Sequence, residues 1–484
     1  MSGRVAVIGG TGQVANKDDE RIVHPMVLVE EATRAALDAA GVKPGDVSAI
    51  YCTPLSAIAE ADPAGMLAER LGARSGPRHV SNYSGSAPQK MLSAAVRAVS
   101  EGRADVAVVA GGIADASFRR ARRTGRPLPA PPTSVWSQGS DGIGVEVHRD
   151  WGPSYIAEIA AGAGYPSSYF ALVQSALDRG KIRSAQERAL GELMAPFTEV
   201  AARRPDLAWF PVARSPEEIA APSAANRLVA EPYTKLMCSF PTVDLAAALV
   251  VTADPGPGAI YPRVITVGTE EGTPSTWADM SHSKAMAGAV RRAFELSGLD
   301  PSEVGAFDLY SCFPAAVLLA AGELGVGPGD PRPLTASGGL PYFGGPGASY
   351  SLHGLACLFE DMHSRSLPLG AAVGVGGMVN YSSVGIYSLD PVPFAWAEDE
   401  PVPVQVESNP APQGRAMVDA MTVLHDRDGG PVAAPIIGRT AGGARFGARL
   451  ADPAEAAELA GTSLVGTEVE VVSEGGQTRY RVVG

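Results

Sequence analysis

The stretch SNYSGSAPQ (residues 81–89) decides the fold, together with the apolar run ADVAVVAGG (residues 104–112). The residues between them have a helical pattern, so we predict a loop, a helix that begins near Ser84, and a buried strand. Two glycines, Gly111 and Gly112, close that strand. A loop–helix–strand unit of this kind indicates an α/β protein with helices covering a mostly parallel sheet.

Composition places the chain among large soluble proteins. It has 484 residues, of which 45% are hydrophobic and 19% charged, and this length predicts roughly two to four domains. The net charge of −13 argues against nucleic-acid binding. We expect no signal peptide before the first strand, and no apolar run reaches the ~18 residues of a membrane helix. The four cysteines lack metal-like spacing, so we expect a cytoplasmic protein without a zinc site: Cys52, Cys238, Cys312 and Cys357.

An internal repeat links two distant parts of the chain. Each copy is a helix end, a glycine, a proline three residues later and a strand. Gly41 and Gly298 are 257 residues apart (298 − 41), as are Pro44 and Pro301. A glycine suits the left-handed end of a helix, and the proline prevents the helix from continuing. The repeat therefore predicts two similar α/β halves.

The domain boundaries follow from this repeat and from changes in composition. We predict a first half over residues 1–256, with a helical insertion over about 117–242. A second half follows over residues 257–390. The segment 391–412 is rich in proline and acidic residues and is predicted to be a linker. Short strand-like runs separated by Gly-Gly turns predict a small OB-like β-domain over 413–484.

The order of these motifs resembles the thiolase superfamily over about residues 1–387. In that family a Cys-Gly-Ser-Gly-x-Gln motif precedes the helix, and Ser84 stands at the cysteine position here. The resemblance implies a duplicated, five-layered α/β fold with the acyl site between the halves. It is closest to thiolase-like proteins that carry an extra C-terminal β-domain, near the sterol-carrier type and often labelled acetyl-CoA acetyltransferases.

All four catalytic loops of a thiolase are altered in this sequence. The second loop, Asn-Glu-Ala-Phe or His-Asp-Cys-Phe in the family, is YSCF (310–313). The third, Gly-His-Pro, is GGP (344–346), and the fourth, Cys-x-Gly, becomes GVGG (374–377). The nucleophile, the oxyanion-hole histidine and the second base of the family are thus all replaced.

Ser84, Cys312 and His353 are the candidates for covalent chemistry. A serine at a helix N-terminus gains only about 1 kcal/mol from the helix dipole, so Ser84 needs a general base. His353 follows the third loop by about two helical turns and could supply it. The alternatives are a helix N-cap for Ser84, an inert core thiol for Cys312 and a structural role for His353.

Tyrosines form the other set of candidates. Five of the 13 tyrosines lie in or beside the four loops, and Tyr310 occupies the polar position of the second loop. They either pack in the space left by lost catalytic groups or act as acids and bases. Thiolase relatives that cleave carbon–carbon bonds by a retro-aldol route are thought to use tyrosines, and they pair with a separate OB-domain protein. The five are Tyr83, Tyr310, Tyr342, Tyr350 and Tyr381.

Coenzyme A binding is implied by the resemblance alone. The arginine cluster that includes Arg119, Arg120 and Arg123 lies at the start of the insertion, where the family recognises the CoA nucleotide. A solvated loop is the alternative. Gly345 and Gly376 are the candidate positions where backbone approaches the thioester.

No metal or nicotinamide cofactor is expected. The glycines of Gly10-Thr11-Gly12 follow the first strand as in a dinucleotide loop, but the next residues are polar and do not predict a helix. We therefore predict a simple turn out of the strand at this point.

Three functions remain open from the sequence. The first is an acyltransferase acting on an acyl-CoA or acyl-carrier thioester through Ser84. The second is a retro-aldolase that uses tyrosines, with the C-terminal domain as a built-in partner. The third is a non-catalytic CoA-binding or scaffold protein. The family also implies a homodimer.

Overall fold

Two five-stranded sheets that share the same four-strand arrangement form the body of the protein in this computed structural model, which describes residues 4–55, 62–130, 158–179, 183–450 and 452–483. The first sheet has the strand order β1-β7-β4-β2-β3. Its strands are β1 (Val7–Ala15), β2 (Ala49–Cys52), β3 (Arg78–Val80), β4 (Val106–Ala114) and β7 (Asp244–Thr252). The helices of this half are α1 (Pro25–Ala40), α2 (Pro63–Leu71), α3 (Ala87–Ser100) and α4 (Asp115–Thr124).

The second sheet has the order β12-β8-β11-β10-β9. Its strands are β8 (Tyr261–Thr269), β9 (Ala306–Leu309), β10 (Leu369–Gly376), β11 (Tyr381–Ser388) and β12 (Ala395–Glu398). The helices of this half are α8 (Lys284–Ser297), α9 (Pro314–Leu324) and α10 (Tyr350–Ser364). In each half two antiparallel pairings are followed by a parallel one: β1–β7–β4–β2 corresponds to β8–β11–β10–β9.

The layers follow from which sheets each helix contacts. Helices α3 and α10 each pack on strands of both sheets and on one another, so they form the middle layer. Helix α1 packs on the first sheet and α8 on the second, as outer layers. The predicted five-layered fold is therefore confirmed. Gly41 (φ 67, ψ 23) ends α1 and Gly298 (φ 65, ψ 23) ends α8, which confirms that the repeat marks equivalent helix ends.

Strand β1 continues through the segment predicted to be a turn. Gly10 and Gly12 lie inside β1, where helix α1 packs against the strand backbone. A Cβ at Gly10 would lie 2.2 Å from Ala36 O, and one at Gly12 would lie 2.1 Å from Ala32 O. The predicted turn is wrong because these glycines permit close helix–strand packing rather than a reversal.

The insertion is helical, as predicted. It contains α5 (Pro166–Asp178), α6 (Arg183–Ala202) and α7 (Pro216–Ala220). Part of the predicted insertion, residues 131–157, lies outside the described residues. The short strands β5 (Leu228–Ala230) and β6 (Tyr233–Thr234) then join the sheet of the C-terminal domain through β14 (Leu424–His425).

The C-terminal strands close into a barrel. The described strands pair in the ring β13-β17-β18-β16-β15, and β15 pairs back to β13. Only the β16–β18 pairing of the ring is parallel. This five-stranded ring, with α11 between β16 and β17, agrees with the OB-like prediction. The elements are β13 (Gly414–Met421), β15 (Pro431–Thr440), β16 (Arg445–Leu450), α11 (Pro453–Leu459), β17 (Glu468–Glu474) and β18 (Gln477–Val482).

The segment predicted to be a linker is partly a strand. Strand β12 pairs in parallel with β8, and its side chains contact helix α3 of the first half. The Arg97 guanidinium lies 3.7 Å from the Trp396 ring centroid, and Lys90 forms a 2.6 Å ion pair with Glu398. The linker prediction is wrong at β12. The high proline content of the segment suggested an unpaired chain, but residues 395–398 form a strand that pairs with β8.

Candidate active site between the two halves

The loop before α3 places Ser84 in the interior. Ser84 is 3% exposed, and its Oγ lies 2.8 Å from Ser86 Oγ. Ser86, not Ser84, is the N-cap residue of α3, and its side chain makes no capping hydrogen bond. The alternative of Ser84 as the helix cap is therefore wrong, because the helix begins two residues later than its sequence pattern indicates.

Three of the four predicted loops meet at Ser84. A Cβ at Gly376 would lie 1.8 Å from Ser84 Oγ, so the end of β10 touches the serine side chain. A Cβ at Gly85 would lie 2.4 Å from both Tyr310 Cζ and Val375 O. The first, second and fourth loops thus converge as the resemblance implies, and glycine is required where they touch.

The third loop lies to one side of this contact. The Gly345 N–H donates to Phe240 O at 2.9 Å, and a Cβ at Gly345 would meet Ser239 Oγ at 2.2 Å. Gly345 therefore packs on the segment that precedes β7. Two residues later the loop reaches the first loop, because a Cβ at Gly347 would lie 2.3 Å from the Tyr83 hydroxyl.

Tyr310 is buried beside the serine, and burial raises its pKa well above the usual value for tyrosine, with Cys312 and Tyr83 adding to the shift. Its ring meets Tyr350 edge-on, with ring centroids 5.3 Å apart. Among the described residues, the Tyr310 hydroxyl has no hydrogen-bond partner. Tyr310 is thus a neutral phenol whose hydroxyl is free to contact a ligand.

A buried hydrogen-bond network that includes Asp308 contacts the hydroxyl of Tyr350. The Tyr350 hydroxyl lies 2.7 Å from Ser337 Oγ, and Asp308 Oδ1 accepts hydrogen bonds from Ser337 Oγ at 3.3 Å and Thr335 Oγ1 at 3.1 Å. Burial raises the pKa of Asp308 to about 6. Asp308 was not predicted from the sequence, although a lone acidic residue in the apolar strand β9 was a visible signal.

His353 does not face Ser84. Its Nδ1 lies 2.8 Å from Gln13 Oε1, and its Nε2 is buried without a hydrogen-bond partner among the described residues. Burial lowers the pKa of the ring to about 3. Helix α10 thus carries His353 toward β1, where it contacts Phe343 and Gln13 rather than the candidate nucleophile.

Cys312 is partly buried at the start of α9. Burial raises the pKa of its thiol well above the usual value, and the neighbouring Cys238 adds to the shift. A neutral thiol is a poor nucleophile, so this environment favours the core role over the reactive one.

The arginine cluster lies on helix α4, not on the predicted loop. Arg120 is 7% exposed and forms an ion pair with Asp244, which also accepts hydrogen bonds from Ser117 and Asn16. Arg119 and Arg123 are exposed. Arg120 is therefore engaged in the interior, whereas Arg119 and Arg123 remain accessible to an anionic ligand.

Ser351 is a further residue of the site that the sequence analysis missed. Its Oγ donates to Gly85 O at 2.6 Å and so fixes the first loop from α10. Tyr342 and Tyr381, two of the five tyrosines near the loops, are buried, and the Tyr342 hydroxyl has no described partner.

Within the described part of the chain no cluster of His, Cys, Asp and Glu has the arrangement of a metal site, and no helix has the length and apolarity of a membrane span.

Comparison with known proteins identifies the C-terminal domain and the fold. Residues 395–476 match the family model of the thiolase-like protein type 1 additional C-terminal domain. No curated protein matches the chain.

Three solved structures share the fold. The monomeric SCP2-thiolase-like protein type 1 of Mycobacterium smegmatis has a TM-score of 0.80 at 25% identity, over 99% of each chain. The Ltp2-ChsH2(DUF35) aldolase has a TM-score of 0.60 at 20% identity, over 81% of this chain and all of that one. Acetyl-CoA acetyltransferase of Syntrophomonas wolfei has a TM-score of 0.54 at 14% identity, over 80% of this chain and 100% of that one.

These findings agree with the duplicated halves and the separate C-terminal domain. The Mycobacterium smegmatis protein is described as monomeric, but this is a property of that protein. The homodimer therefore stays a prediction for this chain. The chain therefore has a thiolase-like fold and carries a domain that matches the additional C-terminal domain of thiolase-like protein type 1.

Proposed function

We propose that this chain is an enzyme acting on an acyl thioester that binds between its two halves, with the acyl group beside Ser84 and Tyr310. The observation that carries the proposal is the meeting of loops from both halves. A Cβ at Gly85 or at Gly376 would collide with the opposite half, so the loops that carry Ser84 and Tyr310 are in direct contact. The acetyl-CoA acetyltransferase with the same fold supports the choice of substrate class. Coenzyme A is the proposed carrier, with the exposed Arg119 and Arg123 as candidate contacts for its phosphates.

Acyl transfer through Ser84 is the reaction that the sequence favours, but its surroundings give it little support. A serine must lose its proton to a base as it attacks. The hydrogen-bond partners of Ser84 Oγ are the hydroxyl and the backbone N–H of Ser86, neither of which is a base, and His353 is occupied by Gln13. An acyl-enzyme would therefore need a base that arrives with the substrate.

Carbon–carbon cleavage without an acyl-enzyme fits these side chains better. As the bond breaks, its electron pair moves to the α-carbon and thioester oxygen, and the resulting enolate needs a proton. Tyr310, neutral because of its raised pKa, can donate its proton to the developing enolate while its oxygen accepts the β-hydroxyl proton in the same step, so that the tyrosine ends neutral as it began. We therefore propose a retro-aldol type of cleavage over acyl transfer. The aldolase with the same fold supports this choice.

The test combines intact mass with product analysis on a panel of acyl-CoA and β-hydroxyacyl-CoA thioesters. We expect turnover without a covalent adduct, a loss of about 10²- to 10⁴-fold in Tyr310→Phe, and a change of only a few-fold in Ser84→Ala. Tyr387→Phe is the matched control, because this buried tyrosine lies on β11, outside the four loops, and its hydroxyl already donates to Gln89.

Two other results would reject this assignment. An acyl mass on the protein that disappears in Ser84→Ala would establish acyl transfer instead. No turnover, together with no stabilisation of the protein by any CoA thioester, would leave a non-catalytic role.

A further inference from the structure

Exposed apolar side chains collect beside the third loop. Tyr83 and Val212 are each 50% exposed and Phe210 is 36% exposed, although residues of these types are usually buried. Phe240 is partly buried and meets Phe210 edge-on, with ring centroids 4.9 Å apart. We call Tyr83, Phe210, Val212 and Phe240 the apolar rim.

Backbone contacts join the apolar rim to the candidate site. The Phe210 N–H donates to Tyr342 O at 2.9 Å, and Gly345 N–H donates to Phe240 O at 2.9 Å, so both phenylalanines flank the third loop. The other end of that loop touches Tyr83 through Gly347. The rim therefore begins at the residue directly before Ser84 and extends away from it along the third loop.

We infer that the apolar rim binds the hydrocarbon chain of the acyl thioester, so that the substrate is an acyl group with several methylenes rather than acetyl. The inference rests on the proposed function, because it needs the thioester carbonyl beside Ser84. Tyr83 directly precedes Ser84, is half exposed and contacts the third loop at Gly347, so the rim is the exposed apolar surface next to the proposed position of that carbonyl. A protein partner fits less well, because a stable protein interface takes roughly 20–30 residues on each side, and the rim has four.

The test is calorimetric titration with free CoA and with acetyl-, butyryl-, hexanoyl- and octanoyl-CoA. Each methylene that leaves water completely should tighten binding about fourfold, and one that stays half exposed about twofold. In the double variant Tyr83→Ser/Phe210→Ser this dependence on chain length should flatten, while the affinity for free CoA stays the same. Val472→Ser is the control, because Val472 is 52% exposed on the outside of the barrel.

The outcomes separate the inference from the proposed function. Binding that is equally tight for acetyl- and octanoyl-CoA would overturn the inference and leave the proposed function standing. No binding of any thioester would overturn the proposed function itself. If the double variant instead changes the sedimentation coefficient and leaves the chain-length dependence intact, the rim is a protein-docking surface and the inference is wrong.

Discussion

Gly376→Ala is the substitution that probes the contact between the two halves at Ser84 most directly. The new Cβ would lie 1.8 Å from Ser84 Oγ, 3.1 Å from Ser84 Cβ and 3.1 Å from Ser86 Oγ. All three atoms belong to buried residues, so the methyl group cannot be moved into solvent. Overpacking of this kind typically destabilises a protein by about 1–3 kcal/mol.

The Ser84→Ala background identifies the atom responsible. Removing Oγ deletes the shortest of these contacts and leaves those at 3.1 Å. We therefore expect Gly376→Ala to cost at least about 1 kcal/mol less in Ser84→Ala than in the wild type, which is a coupling typical of residues in contact. Chemical denaturation of the four proteins of this cycle measures the coupling.

Gly374→Ala supplies the matched control for the same strand. Its Cβ would meet Ser383 Oγ at 2.6 Å and Ser86 Cα at 3.2 Å, and Ser84 is not among its nearest atoms. Ser84→Ala should therefore leave the cost of Gly374→Ala unchanged. Equal costs for Gly376→Ala in both backgrounds would refute the proximity of Ser84 to β10, and with it the convergence on which the proposed site depends.

Two further predictions concern buried polar groups. Arg120→Met should destabilise the protein by about 3–5 kcal/mol, because Asp244 is left as a buried charge without its cationic partner. Arg123→Met, on the exposed side of the same helix, should change stability little. Equal unfolding midpoints for the two variants would contradict this prediction. The His353 ring should show no titration step by NMR between pH 5 and 8. Because burial lowers its pKa to about 3 while the unfolded ring keeps its ordinary value near 6.5, its contribution to stability is present above about pH 6.5 and declines as the pH falls toward 3; a midpoint above pH 5 would refute the burial of the ring beside Gln13.

The architecture was predictable because its signals are local and occur twice. Gly41 and Gly298 each need the left-handed conformation at a helix end, so the sequence alone marks two equivalent helices. The errors arose where one residue type serves two purposes. Gly10 and Gly12 suggested a turn by composition, yet they make room for helix α1 along a continuous strand.

The chemistry of the site was less predictable, because the partner of a side chain is decided by tertiary packing. Spacing along a helix could not reveal that His353 turns toward Gln13. A run of arginines could not reveal that Arg120 alone is buried against Asp244, more than a hundred residues away. In both cases the sequence shows a side chain capable of the chemistry, but a partner distant in the chain decides what that side chain does.

The glycines of the first and fourth loops are required for packing, so their presence alone is not evidence of catalysis. A Cβ at Gly85 or Gly376 would collide with the opposite half, and one at Gly374 would collide with Ser383 on the adjacent strand, so the fold requires these glycines whether or not a reaction occurs. The case for catalysis therefore depends on side chains that packing does not require. The hydroxyl of Tyr310 is such a group, because its ring alone fills the space against Gly85 and Tyr350. A tyrosine at this position, where phenylalanine would pack as well, is best explained by a ligand that accepts its hydrogen bond.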